Sequence, residues 1–214
     1  MDISTWLAYL VVTIICAATP GPGVLFAVSN SITFGWRRVI SSSLGNISGI
    51  FLVSSFTMTG LGALLKTSAL LFTILKIIGG GYLIYLGFRQ WNSKTNIFSS
   101  LNENTLKEKS YKSNRQLFFK GLLVALTNPK AVLFFSALFP QFIKVEKSLL
   151  PQFIILTATF MFFSFSSLMI YAYTATSAKT WFSNQLRVNW FNRISGGIFM
   201  LLGISILRLK NKQS

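Results

Sequence analysis

Six stretches of this 214-residue chain, at 5–29, 39–65, 68–88, 118–143, 149–178 and 189–207, are almost continuously apolar. Each approaches the roughly 20 residues that a helix needs to cross about 30 Å of hydrocarbon. In lipid every backbone N–H and C=O must be satisfied within the spanning structure, and uninterrupted apolar runs lack the alternation of a barrel strand, so helix is the choice left. The pattern predicts an all-α polytopic membrane protein with six transmembrane helices. Composition agrees, because only 11% of residues are charged and 52% are hydrophobic, whereas soluble domains carry about 25% charge. The first run follows Asp2 with no Lys or Arg before it, so it lacks the basic n-region of a signal peptide and is read as a retained span.

The net charge of +16 sets 20 Lys and Arg against Asp2, Glu103, Glu108 and Glu146. In a soluble protein that balance would suggest nucleic acid. Here the cations sit mostly between apolar runs, where they hold loops on the cytoplasmic side and against anionic lipid, so membrane lipid and not nucleic acid is the expected partner. With both termini outside, twelve of these residues fall in inner loops and six outside, which favours N-out and C-out in a cytoplasmic membrane. The hydrophilic segment 89–117 reads as a basic cytoplasmic loop within one transmembrane domain, separating a first repeat at 5–88 from a second at 118–207.

The two halves resemble each other. IGGGYLIYLGF at 78–88 aligns without a gap on ISGGIFMLLGI at 194–204, matching Gly80, Gly81, Leu86 and Gly87 with Gly196, Gly197, Leu202 and Gly203. Placing Pro22 on Pro129 aligns GPGVLFAVS with NPKAVLFFS, at corresponding points of the first and fourth helices. Three spans per half is an odd number, so duplicated halves must insert in opposite orientations, the inverted-repeat plan of many secondary transporters. Helices 1 and 4 are expected to break at their proline motifs, TPGPG and TNPK, because proline lacks the N–H donor and its ring clashes with the preceding turn. Broken helices at equivalent depth free backbone groups and dipole ends to meet a polar solute, and irregular backbone at that depth must be covered by protein or line a cavity.

Two lysines lie inside apolar runs, Lys76 in the third helix and Lys130 in the fourth. A charge at the bilayer centre costs about 2.5 kcal/mol or more, so such residues face an interior cavity unless they snorkel to the headgroups. A cation there could hold an amino-acid carboxylate, and proton exchange at a lysine in low dielectric is chemically feasible. Pro20, Gly21, Pro22, Lys76, Asn128, Pro129 and Lys130 are the candidate substrate-binding residues. The glycines of GNISG, at 45–49, and of the two aligned motifs read as close-packing positions. Asn46, Ser48, Ser54, Ser55, Ser164, Ser166, Ser167, Tyr171 and Tyr173 either line a path or bond helix to helix.

Other chemistries find no support. There is no histidine, and Cys16 is the sole cysteine, which removes His-based catalysis, a disulfide and a zinc site; Cys16 reads as packing. No carboxylate lies in any span. No enzyme activity, metal or cofactor is expected.

On these motifs the chain resembles the LysE/RhtB family of bacterial amino-acid exporters, and its homoserine/threonine-exporter branch in particular. The likeness rests on TPGPG, on LKIIGGGYLIYLGFRQW at 75–91 and on NPKAVLFFSALFPQF at 128–142, in that order, and covers nearly all of the chain. It implies an inner-membrane exporter of amino acids or derivatives driven by the proton motive force. Where many relatives carry an acid in the second or fifth helix, this chain offers Ile50 and Ser164. The rival reading is a non-transporting membrane subunit or scaffold, with glycine-rich helices as interaction surfaces. A homodimer would suit so small a carrier.

Overall fold

The computed structural model describes residues 2–64, 69–93, 113–144, 147–175 and 184–208, and every regular element in them is helical. In chain order these are α1 (Ile3–Ala18), α2 (Pro22–Phe34), α3 (Trp36–Leu64), α4 (Ala69–Trp91), α5 (Asn114–Leu126), α6 (Pro129–Leu133), α7 (Leu149–Tyr173) and α8 (Gln185–Arg208). A π turn at Phe134–Leu138 and a 3-10 turn at Phe139–Phe142 continue α6.

Two helices are long and apolar enough to cross a membrane alone, α3 over Trp36–Gly60 and α7. Two bent pairs each make one more candidate: α1 with α2, bent by 48°, and α5 with 129–142, bent by 54°. The remaining helices, α4 with 23 residues and α8 with 24, have the length of a span. Outward-facing apolar side chains recur at helical spacing, as at Ile3, Leu7, Val11 and Ile14 on α1; that stripe suits lipid and not water.

Local chemistry explains the boundaries. Both broken helices restart on a proline at the first helical position, Pro22 after Gly21 and Pro129 after Asn128, where a missing N–H costs nothing. The chain leaves α2 through Gly35 at φ +84°, a left-handed conformation that glycine adopts without Cβ strain. The helices overrun the expected loop: α4 continues to Trp91, and α5 starts at Asn114. There Ser113 and Gln116 form a capping box that satisfies two orphan N–H groups reciprocally. Polar composition marked where hydrocarbon ends, not where helix ends. Most of that loop, with Lys66 and the tail beyond Arg208, lies outside the described residues.

Small residues set the tightest packing. A Cβ on Gly203 would stand 2.6 Å from the Gly80 carbonyl oxygen, and one on Gly87 would stand 2.6 Å from that of Gly196. So α4 and α8 run antiparallel in backbone contact. Likewise Gly45 on α3 faces Phe118 on α5, and Gly121 on α5 faces Ser42 on α3.

Two apolar clusters fill the interior. One is aromatic, built from Tyr9, Phe134, Phe135, Phe139 and Phe160 with Val12, Cys16, Ile50 and Leu156, and its rings pack at centroid distances such as 4.6 Å for Phe134–Phe160 and 4.9 Å for Phe135–Phe160. The other is aliphatic, with Val24, Ala27, Val28, Val39, Leu168, Ala172 and Val188. Beside the aromatic cluster the chain is tied down at α1's start. Asp2 accepts hydrogen bonds from Lys144 and Lys147, which hold its carboxyl at about 2, below its usual 3.8. The buried Gln152 side chain brackets the same turn, accepting from Lys144 N and donating to the carbonyls of Lys144, Lys147 and Ser148.

Candidate functional site

The two breaks meet. At the first, α1 ends at Ala18 and α2 begins at Pro22; at the second, α5 ends at Leu126 and α6 begins at Pro129. A helix that stops inside an apolar interior leaves its last carbonyls without donors, and each must find one. The first break is served from other helices. Lys130 Nζ donates to the carbonyl oxygens of Cys16 at 2.8 Å and Thr19 at 2.7 Å. Ser167 Oγ donates to Ala17 O at 2.9 Å, and Tyr171 Oη to Ala18 O at 2.8 Å, both from α7. The Ile15 carbonyl takes the Thr19 N–H and hydroxyl.

Lys130 therefore reaches from the second break to the first and puts its ammonium at the C-terminal, negative end of α1's dipole. Gly21 lies beside it, where an added Cβ would make ordinary van der Waals contact with Nζ at 3.5 Å. Asn128 fixes the base of the lysine, its Oδ1 accepting the Lys130 N–H at 3.1 Å as the N-cap of α6.

Between the breaks lies a cavity of about 40 Å³. It is lined by Gly21, Gly23, Asn46, Asn128, Lys130 and Ser164, and by apolar neighbours that include Cys16, Val24, Ile50, Phe160 and Leu168. Cys16, Ile50 and Phe160 belong to the aromatic cluster, Val24 and Leu168 to the aliphatic one, so an apolar plug stands on either side. That volume admits a few waters and not an amino acid.

Of the residues expected at a site, Gly21, Asn128 and Lys130 line the cavity, while Pro20, Pro22 and Pro129 shape the breaks without lining it. Lys76 sits in α4, and its side chain lies outside the described residues. The polar residues whose role was open now divide. Asn46 and Ser164 line the cavity, Ser167 and Tyr171 hold α1's end, and Ser48, Ser54 and Ser55 donate to carbonyls of their own helix. Ile50 and Ser164 both line the cavity. Cys16 is buried as expected, yet its carbonyl is one of the lysine's two anchors. Sequence could not signal that, because the contact is made by backbone.

Residues 14–210 match the LysE type translocator family model. The chain belongs to the LysE type translocator family. Members are translocators rather than enzymes, and this chain is a multi-pass membrane protein. It is 33% identical over 203 residues to a homoserine/homoserine lactone efflux protein of Salmonella typhimurium, covering 95% of this chain and 96% of that protein. It is 32% identical over 212 residues to an uncharacterized membrane protein of Vibrio cholerae, covering 98% of this chain and all of the relative. A Bacillus subtilis membrane protein, also uncharacterized, is 28% identical over 203 residues, 92% of this chain and 96% of its own length. No solved structure matches the chain.

Proposed function

We propose that this translocator is a secondary carrier that exports amino acids or their derivatives across a bacterial cytoplasmic membrane by alternating access, coupled to the proton motive force. The observation that carries the reading is the lysine-bridged pair of helix breaks around a small cavity. A lysine buried at a helix break is costly to desolvate, and placing it against a polar cavity favours a solute-binding role over that of a scaffold. Relatives named for homoserine and homoserine lactone efflux support a small-molecule cargo of this type.

In the carrier, α1–α2, α3 and α4 form one three-helix repeat and α5–α6 with its continuation, α7 and α8 form the other, inverted with respect to the first and giving six spans. The α4–α8 contact supports this. Gly80 and Gly196 are aligned in the two halves, as are Gly87 and Gly203, and the pairs in contact are Gly80 with Gly203 and Gly87 with Gly196. A two-fold axis would exchange one pair for the other. The repeats would rock about the cavity, opening the aromatic plug and the aliphatic plug in turn. With N- and C-termini outside, the Asp2–Lys144–Lys147 cluster closes the outer face. Substrate would be held by Lys130 and the groups around Gly21, Pro22, Asn128 and Pro129, with Lys76 as a second cation.

The test is efflux from cells overexpressing the protein, screened over the twenty amino acids, homoserine and related derivatives. At least one should leave faster than from control cells, and a proton uncoupler should stop it. A well-expressed protein that moves none of them would return the scaffold reading to first place.

A further inference from the structure

We propose that the α4–α8 pair, at its end beside the 89–117 loop, binds one anionic phospholipid, with the phosphate on Arg193 and an acyl chain in the groove between Trp91 and Trp190. The groove has a volume of about 440 Å³, within the range of about 300–1,000 Å³ usual for small-ligand sites. Its α8 wall carries Trp190, Arg193, Ile194, Gly197 and Leu201, which recur at helical spacing and so share one face. From Trp190 to Leu201 that face runs about 16 Å at 1.5 Å per residue, close to the depth of one leaflet in a bilayer with about 30 Å of hydrocarbon. Gly197 makes the hollow: it has no side chain, and the Trp91 ring lies 3.2 Å from where its Cβ would stand. Beside it Gln90 Nε2 donates to Asn192 Oδ1 at 2.7 Å, and Asn192 Nδ2 donates to Ser93 O at 3.0 Å. That clamp holds Trp91 and the end of α4 against α8.

Charge selects the headgroup. Arg193 is exposed and makes no hydrogen bond or ion pair among the described residues. Asp2 is the one acid among them, and Lys144 and Lys147 occupy it. A guanidinium in an apolar groove lined by two indoles matches a phosphate at headgroup level above an acyl chain. A zwitterionic headgroup would bring its own ammonium beside the arginine, so an anionic one is favoured. A second copy of the chain, docked here across a two-fold axis along the membrane normal, would set Arg193 against Arg193, which favours lipid as the occupant. The other half of the chain shows what this end has in addition. With Gly81 aligned on Gly197, Ile74, Ile77 and Leu207 stand where this end has Trp190, Arg193 and Trp91. A Cβ on Gly81 would meet nothing within 4 Å. The opposite end of the pair therefore offers neither the rings nor the cation. With N- and C-termini outside, the lipid comes from the cytoplasmic leaflet, whose surface is anionic; only this choice of leaflet rests on the proposed orientation.

Tryptophan quenching tests the site in vesicles holding the full-length protein with Trp6→Phe, Trp36→Phe and Trp181→Phe, so that only the groove's two indoles emit. Acyl-brominated phosphatidylglycerol in a phosphatidylcholine bilayer should quench at about fivefold lower mole fraction than acyl-brominated phosphatidylcholine, the selectivity of one basic residue for anionic lipid. Arg193→Gln should bring the two curves together, and Arg193→Lys should keep them apart. Equal quenching by both lipids, or an undiminished preference in Arg193→Gln, would overturn the proposal. Weak quenching by either lipid would overturn it as well, because the groove would then be filled by another part of the chain or by a second copy. The readout needs neither transport nor a known orientation. A folded protein that moves no solute, or that inserts the other way up, would overturn the carrier or orientation reading and leave the lipid site standing.

Discussion

The two helix breaks are built from similar sequence and share a local threonine cap, but only the first is also held from other helices. At 127–128 the chain caps itself: Thr127 N–H and hydroxyl both donate to Leu123 O, Asn128 N–H donates to Ala125 O, and Asn128 Oδ1 accepts from Lys130 N. At 19–21 Thr19 makes the same local pair to Ile15 O, but the carbonyls of Cys16, Ala17, Ala18 and Thr19 are capped by residues more than a hundred positions away, Lys130, Ser167 and Tyr171. The position that aligns with Lys130 in the first break is Gly23, which has no side chain to offer in return. One break is thus a local turn, and the other is a junction that exists only while three helices are docked. In a carrier that rocks, the junction is the part whose bonds must change.

Removing the shared cation breaks that contrast most severely. Lys130→Gln leaves the Cys16 and Thr19 carbonyls without donors, which should cost about 3 kcal/mol of stability, in the range for unpartnered buried polar groups. It should also cut efflux by more than about tenfold, as losing about 1.4 kcal/mol or more of a required interaction does. The sole cysteine reports the junction directly. Cys16 is buried, so maleimide labelling should be slow in the native protein and faster in Lys130→Gln. Unchanged labelling and efflux in that variant would remove Lys130 from the mechanism.

Smaller changes on the same side should follow. Ser167→Ala and Tyr171→Phe each delete one cross-helix bond, worth about 1 kcal/mol apiece in thermal unfolding. Their carbonyl acceptors are adjacent, so the double variant should depart from additivity by about 0.5 kcal/mol or more. Both should speed Cys16 labelling. On the other side, Asn128→Ala loses an N-cap worth about 1 kcal/mol and should leave labelling unchanged. Labelling that rises as far as in Lys130→Gln would show that the second break is not self-contained.

The smallest effect is expected at the chain start, outside both breaks. The Asp2 carboxyl is held at about 2 instead of 3.8 by Lys144 and Lys147. A depressed carboxyl stabilises the fold above its unfolded value and loses that contribution as pH falls from about 3.8 to about 2. Thermal unfolding in that window should be less pH-dependent in Asp2→Asn than in the native protein. The group is exposed, so the difference should be slight.

Much of this was legible beforehand. The apolar runs located all the described helices, and the paired proline motifs located both breaks to within about two residues, because proline's missing donor is a local property. Gly80, Gly87, Gly196 and Gly203 were readable as packing positions, and Lys130 as an interior cation, since a charge in an apolar run has few other places to go. What sequence left open were the polar residues on the spans, Asn46, Ser164, Ser167 and Tyr171 among them. Polar residues on a membrane helix are equally able to line a path or to bridge helices, and only their neighbours decide.

The sequence by itself determined that this chain spans a membrane as helices, that two of them are interrupted, and that no acid accompanies the lysine within the spans. Those follow from length, hydropathy and covalent chemistry, which each segment carries alone. Only the tertiary structure decided where the lysine's charge goes. Its partners are backbone carbonyls at Cys16 and Thr19, every residue has such a carbonyl, and which two are left open at the lysine's reach depends on how the broken helices dock.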